Sequence, residues 1–269
     1  MKFAPKEIIV KENKVSYFDE GSGVPLIFIH GFPFNKWMWE KQIAVLNNKY
    51  RCIAYDVHGH GESSASRSMF SISQFADDLI DFMDVLSLEK AAICGLSMGG
   101  YIALHAVEKV PKRILALALC DTQCKGDSDE ARDKRFRTIS FIQQTGLSIY
   151  ANESVKNLFA PASFEMRKAE VDFIKGTIVD CLPENVCKTL MALANRKNTC
   201  DVLQTLKMPV LILVGSEDTV TPIAVAEIMK AQLPSATLQI IQGAGHMSNL
   251  ESPDVFTSHL DSFLQTVKA

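Results

Sequence analysis

Short apolar runs constrain the fold of this chain more than any other feature: Leu26–Ile29, Cys52–Tyr55, Ala91–Cys94, Ile114–Cys120, Val210–Val214 and Leu238–Ile241. Each is apolar at nearly every position, not at every second one. A strand sends alternate side chains to opposite faces, so such a run needs cover on both sides, as in a parallel sheet. Helical patterns lie between the runs. Within residues 73–88, Phe75, Leu79, Phe82, Met83 and Leu86 share one stripe, while Asp77, Asp78, Asp81 and Asp84 fall elsewhere. Pro222 opens a helical pattern that runs to Leu233 and is closed by Pro234. From Pro253 a last helix repeats apolar residues at Val255, Phe256, Leu260, Phe263 and Leu264. Alternating strands and helices with short connections predict an α/β fold with an open, doubly wound, mostly parallel sheet.

Two stretches break the rhythm. Ile8–Val10 and Val15–Phe18 flank Glu12-Asn13, a hairpin signal, so the sheet is expected to begin with antiparallel N-terminal strands. From Lys125 to Cys200 no strand pattern stands out, and the segment reads as helices interrupted at Gly146, Pro161, Gly176 and Pro183. Strands resume after it. It is therefore expected to be a helical lid inserted over one edge of the sheet, since binding elements are commonly carried on a rigid scaffold. The expected division is a core of residues 1–122 and 201–269 with a lid (cap) subdomain at 123–200.

Charge and cysteine usage narrow the function classes. Lys and Arg number 28 against 31 Asp and Glu, a net charge of −3, so no global positive field draws in nucleic acid or an anionic membrane. The longest apolar stretches are too short to cross a bilayer, and the opening residues carry no apolar secretory segment. With 7 cysteines, the thiols are expected to be free in a reducing, cytoplasmic setting. Cys52, Cys94 and Cys120 lie in strand runs, where a thiol acts as a small hydrophobe. Cys120 and Cys124 are spaced like some zinc-ligand pairs, but no second Cys or His pair follows at finger spacing. Neither a metal nor another cofactor is expected.

The chemistry concentrates in residues 91–100, A-A-I-C-G-L-S-M-G-G. An apolar strand runs into Gly95-Leu96-Ser97-Met98-Gly99 and then into a helix over Tyr101–Val110, the arrangement of a G-x-S-x-G nucleophile elbow. A serine at so sharp a strand-to-helix turn takes a strained backbone, and the residues two positions to either side must be small. The helix that follows aims its first N–H groups and the positive end of its dipole toward the serine, where an oxyanion would form.

With these residues in view, the chain resembles an α/β-hydrolase over nearly its whole length. His30-Gly31-Phe32-Pro33 matches that family's oxyanion-loop signature after the third strand. The stretch Asp56-Val57-His58-Gly59-His60-Gly61-Glu62-Ser63 is similar to the family's D-x-R-G-x-G-x-S, with His58 where arginine is usual, a departure that bears on any ion pair assigned to that arginine. Gly95–Gly100 and Cys120-Asp121-Thr122 look most like the lactonase and esterase branch that includes 3-oxoadipate enol-lactonases. The resemblance implies a serine hydrolase that cleaves small-molecule carboxylic esters or lactones through an acyl-enzyme on Ser97. Perhydrolase or haloperoxidase activity, C–C bond hydrolysis and a non-catalytic ligand receptor stay open as alternatives on the same scaffold. Ser97 speaks against dehalogenase, epoxide hydrolase and dienelactone hydrolase chemistry, which use Asp or Cys there.

A serine hydroxyl needs a base, and the base needs a carboxylate to fix its tautomer. His246, in the small-residue loop Gly243-Ala244-Gly245-His246, and Asp218, in Gly215-Ser216-Glu217-Asp218, complete the family's Ser–Asp–His order. Glu217 and Asp121 are the rival carboxylates. His30 is expected to brace the oxyanion loop, His105 to pack within its helix and His259 to lie on a solvated face. The oxyanion hole is expected from the backbone N–H groups of Phe32 and Met98. Protonation of His246 should silence the enzyme with a midpoint near or below about 6.5. Phe32, Phe34, Trp37 and Trp39 put aromatic bulk near the acyl side and either form an apolar pocket there or, for Trp37 and Trp39, pack the helix that follows. Arg132, Arg135, Arg137, Arg167 and Arg196 are candidate partners for a substrate carboxylate or plain solvated residues. Oligomeric state leaves no mark in the sequence.

Overall fold

The computed structural model describes residues 3–66 and 68–267. Its strands are β1 (Lys6–Val10), β2 (Asn13–Glu20), β3 (Pro25–Ile29), β4 (Arg51–Tyr55), β5 (Ala91–Leu96), β6 (Ile114–Cys120), β7 (Val210–Gly215) and β8 (Thr237–Ile241). The helices of the core are α1 (Glu40–Leu46), α2 (Ile72–Val85) and α3 (Met98–Lys109). Between β6 and β7 come α4 (Asp129–Thr145), α5 (Leu147–Leu158), α6 (Ser163–Met166), α7 (Lys168–Val179), α8 (Pro183–Ala194) and α9 (Cys200–Leu203). After β7 follow α10 (Ile223–Gln232), α11 (Ser248–Glu251) and α12 (Pro253–Leu264).

The strands form one 8-stranded sheet in the order β1-β2-β4-β3-β5-β6-β7-β8. β1 with β2 and β2 with β4 are antiparallel, and every later pair is parallel. The continuous apolar runs have the reason the sequence suggests. Ile27, Ile29, Ile53, Ile93, Leu117, Leu119, Ile212 and Val214 point to one face, packed with Phe75, Leu79, Ile102 and Met229 from α2, α3 and α10. Their neighbours Leu26, Phe28, Cys52, Cys94, Ala118, Leu211 and Leu213 point to the other, packed with Ile43, Phe256 and Leu260 from α1 and α12. Both faces are covered, so no position in a central strand is left for a polar side chain. This is the α/β-hydrolase fold.

The insertion departs from expectation at two points. Gly146 (φ 79°) does end α4, and Pro183 does open α8 in its first turn, where its missing N–H costs nothing. Gly176, however, lies inside α7 and does not break it, because Ile174 and Ile178 on either side are fully buried and hold the helix together. The second departure concerns the thiols. Cys124 and Cys200, 76 residues apart, form a disulfide with Cα atoms 4.7 Å from each other. The expectation of seven free thiols is corrected: the two ends of the insertion return to one place, and that pairing has no local spacing to reveal it. The cysteines consequently stop arguing for a reducing compartment. Among the described residues no helix is long and apolar enough to cross a membrane.

Candidate active site

The parallel strands β3, β5, β7 and β8 all end on one edge of the sheet, and the loops leaving those ends carry the candidate residues. Ser97 sits between β5 and α3 with φ 53° and ψ −112°, a backbone conformation that L-residues rarely adopt. Two glycines make the turn possible. A Cβ on Gly95 would lie 2.3 Å from the Gly99 carbonyl oxygen, and one on Gly99 would lie 2.2 Å from that of Ile29. The strained turn is held by donors that the sequence does not advertise. Ser97 N–H donates to the Cys120 carbonyl at 2.9 Å, and Thr122 Oγ1 donates to the Ser97 carbonyl at 2.7 Å.

His246 Nε2 lies 2.9 Å from Ser97 Oγ, and His246 Nδ1 lies 2.8 Å from Asp218 Oδ2. An ionised carboxylate can only accept, so Nδ1 carries the proton and the Nε2 lone pair faces the serine. Asp218 also accepts from Val220 N–H at 2.8 Å, Thr221 N–H at 2.9 Å and Thr221 Oγ1 at 2.7 Å. Burial pushes the Asp218 pKa up, but His246 and the Thr221 donors outweigh it and hold the carboxyl below its ordinary range. For His246 burial alone would lower the pKa; Asp218 above all, with Asp121 and Glu251, reverses that and holds it above the ordinary 6.5. The expected midpoint near or below 6.5 is thereby corrected upward.

The rival carboxylates go elsewhere. Glu217 is exposed. Asp121 accepts from Gly215 N–H at 2.9 Å and from Ser248 Oγ, and burial together with the Asp218 charge pushes its pKa well up. The two neighbouring carboxyls are thus driven apart, one low and one high, which marks the low one as the standing anion.

The remaining histidines are accounted for by packing. His30 Nε2 accepts from Val57 N–H at 2.9 Å, and burial pushes its pKa down to about 4, so it is a neutral brace of the loop after β3. His60 packs 5.3 Å from His30, and burial pushes its pKa down to about 3. His58, in the arginine position, packs edge-on against Phe70. The ion pair of that region is made instead by Lys36, whose Nζ reaches Asp56 Oδ2 at 2.8 Å and Glu62 Oε2 at 2.7 Å. Both Lys36 and Asp56 side chains are wholly buried. His105 is buried within α3, and His259 is half-exposed on α12.

A cavity of about 600 Å³ opens over Ser97 and His246. Phe32, Met98 and Tyr101 line it from the core, and Lys134, Arg135, Arg137, Tyr150, Leu158 and Leu190 line it from the helices between β6 and β7. Among the described residues no acceptor within the chain takes the N–H of Phe32 or of Met98. The aromatic cluster divides: Phe32 faces the cavity, whereas Trp39 is buried 5.0 Å from Phe28, Trp37 lies edge-on to Phe18 at 4.7 Å, and Phe34 is buried in the core. The arginines divide too. Arg135 and Arg196 share Asp127, Arg167 Nε donates to the Glu251 carbonyl at 2.9 Å, and Arg132 donates to Asn195. A second cavity, about 560 Å³, lies beside Phe70, His105 and Met191 and holds none of Ser97, Asp218 and His246. No group of three or more His, Cys, Asp or Glu among the described residues could hold a metal ion.

Sheet order, elbow and loop placement are those of an α/β-hydrolase, and comparison agrees. The model of the alpha/beta hydrolase fold family matches residues 24–253, and the chain belongs to that family. It is 28% identical over 248 residues to 3-oxoadipate enol-lactonase 2 of Acinetobacter baylyi, covering 92% of this chain and 91% of that one. It is 29% identical over 274 residues to a putative non-heme chloroperoxidase of Synechocystis, covering 93% and 95%. Among solved structures, a malate-bound thermophilic esterase from Thermogutta terrifontis superposes with a TM-score of 0.93 at 30% identity, covering 99% of this chain and 100% of that one.

Proposed function

We propose that this protein is a serine hydrolase of carboxylic esters or lactones, with Ser97 as nucleophile, His246 as general base and Asp218 as the carboxylate that orients it. The observation that carries the reading is the unbroken relay from Ser97 Oγ through His246, at 2.9 Å and 2.8 Å, to a carboxylate anchored by three further donors. Ser97 Oγ attacks the acyl carbon while His246 Nε2 takes its proton. The oxyanion is held by the free N–H groups of Phe32 and Met98, the second at the positive end of α3. Collapse breaks the bond to the alcohol oxygen, which takes the proton back from His246. In a lactone that oxygen stays tethered to the acyl group. Water then gives a proton to His246, attacks the acyl carbon and releases the acid, and Ser97 Oγ recovers its proton.

Residues 123–200, with helices α4–α8, act in this reading as a lid over the core. They supply most of the polar cavity wall, including Lys134 and Arg137, while Arg135 is engaged with Asp127. Two cations without an ion pair among the described residues favour esters or lactones that carry a negative charge. The same relay would serve perhydrolysis, the activity that the likeness to a chloroperoxidase brings to mind, with hydrogen peroxide replacing water in the second attack. Activity against a panel of short acyl esters, charged and neutral, and of lactones, run beside Ser97→Ala and with a peracid assay, tests the reading. Hydrolysis that depends on Ser97 supports it, peracid formation that outpaces hydrolysis selects the alternative, and turnover equal in Ser97→Ala refutes both.

A further inference from the structure

Glu251, at the end of α11, is buried with 4% of its surface exposed, and among the described residues its carboxylate is held by N–H and O–H donors with no ion pair. Oε1 accepts from the N–H of Gly245, the residue before His246, at 2.8 Å. Oε2 accepts from Ala160 N–H at 2.8 Å, in the turn after α5, and from Ser163 Oγ at 2.6 Å, at the start of α6. Arg167 reaches only the main-chain carbonyl of Glu251, at 2.9 Å. Beside these bonds Met247 N–H donates to the Leu158 carbonyl at 3.1 Å. The two segments touch backbone to backbone: a Cβ on Gly245 would lie 2.7 Å from Ala160 N and 2.9 Å from the Phe159 carbonyl carbon.

The carboxylate therefore ties two distant pieces of the chain that have separate tasks. One is the loop that carries His246. The other ends α5, whose Tyr150, Ser154 and Leu158 line the cavity over Ser97. We propose that Glu251 is a positioning residue that locks the helical wall of the cavity to the His246 loop, so that docking of that wall sets the register of the base. The proposal rests on the reading of His246 as general base. A carboxylate suits the task where an amide does not. It accepts at both corners, whereas glutamine accepts at one and sets an NH2 group against N–H donors at the other. Its charge also acts on the imidazole: the carboxyl groups around His246 are Asp218 before α10, the standing anion, Asp121 just after β6, whose pKa is pushed well up, and Glu251 on α11.

Glu251→Gln and Ser163→Ala in the full chain test this beside the wild type, with short-ester kinetics across pH and the rate of Ser97 labelling by a fluorophosphonate. In Glu251→Gln kcat/KM is expected to fall roughly ten- to a hundredfold, the loss of a hydrogen bond to a buried charge. Labelling should slow in parallel, and the acid limb of the profile should move to lower pH as one negative charge beside His246 disappears. Ser163→Ala, which loses one donor on the wall side, should raise KM and leave the acid limb in place. Glu251→Gln with wild-type labelling and an unmoved acid limb overturns the proposal. Should that variant not fold, an unchanged KM in Ser163→Ala overturns it. A wild type that does not label at Ser97 instead overturns the triad reading, so the two failures are distinct.

Discussion

Replacing Asp218 by Asn exchanges one carboxylate oxygen for an NH2 group and is expected to cost most of the activity. Oδ1 of Asp218 accepts from two backbone groups, Val220 N–H at 2.8 Å and Thr221 N–H at 2.9 Å, while Oδ2 faces His246 Nδ1 at 2.8 Å. An asparagine keeps its oxygen where two fixed N–H donors demand an acceptor, which places its NH2 group against Nδ1. The NH2 donates, so the imidazole must accept there and carry its proton on Nε2. That proton then points at Ser97 Oγ, 2.9 Å away, and the base has no lone pair to offer. A triad held in the wrong tautomer loses about 10⁴ in kcat, or about 5.4 kcal/mol of transition-state stabilisation. Asp121→Asn is the control, since Asp121 bonds Gly215 and Ser248 and not the imidazole. It should cost about tenfold or less, the order of one buried hydrogen bond. Turnover of a short acyl ester, with circular dichroism to show that both variants fold, decides the matter. A loss below about tenfold in Asp218→Asn, or the large loss in Asp121→Asn, would refute the assignment.

Other expectations follow from the same geometry. Only neutral His246 can take the Ser97 proton, and its pKa is raised, so kcat/KM should fall as pH drops through a value above 6.5; a midpoint clearly below 6.5 contradicts the reading of its surroundings. Lys36→Ala leaves the buried Asp56 carboxylate without its partner and should cost about 3–5 kcal/mol in denaturant unfolding; a loss under about 1 kcal/mol would place the pair in solvent. Thiol titration of the unfolded, unreduced protein should find the five free cysteines 52, 94, 120, 181 and 187, and finding seven would deny the Cys124–Cys200 disulfide.

What the sequence discloses is what local pattern controls. The elbow is legible because a strand, two close-packed glycines and a helix N-terminus must occur within ten residues, and the core strands because burial on both faces leaves them apolar throughout. His246 and Asp218 are named by the Ser–Asp–His order that the resemblance to α/β-hydrolases implies. Residues whose roles depend on distant partners stay hidden. Nothing local to Lys36 announces its ion pairs with Asp56 and Glu62, and Trp39 stays open between pocket and packing until Phe28 and Phe256 enclose it. Thr221, Ser248 and Glu251 are ordinary polar residues in sequence, and only the folded loops bring them to Asp218, Asp121 and Gly245. Gly176 misleads because a glycine's intrinsic dislike of helix is worth about 1 kcal/mol, less than the burial of Ile174 and Ile178 beside it.

The proposed chemistry turns on Ser97 being the activated nucleophile. Incubating the protein with a fluorophosphonate and mapping the adduct by peptide mass spectrometry tests it most directly, because the reagent needs a serine oxygen whose proton a neighbouring base removes. One adduct is expected, on the peptide containing Ser97, abolished in Ser97→Ala and strongly slowed in His246→Ala. An adduct on another residue, or labelling that persists unchanged in Ser97→Ala, would contradict it.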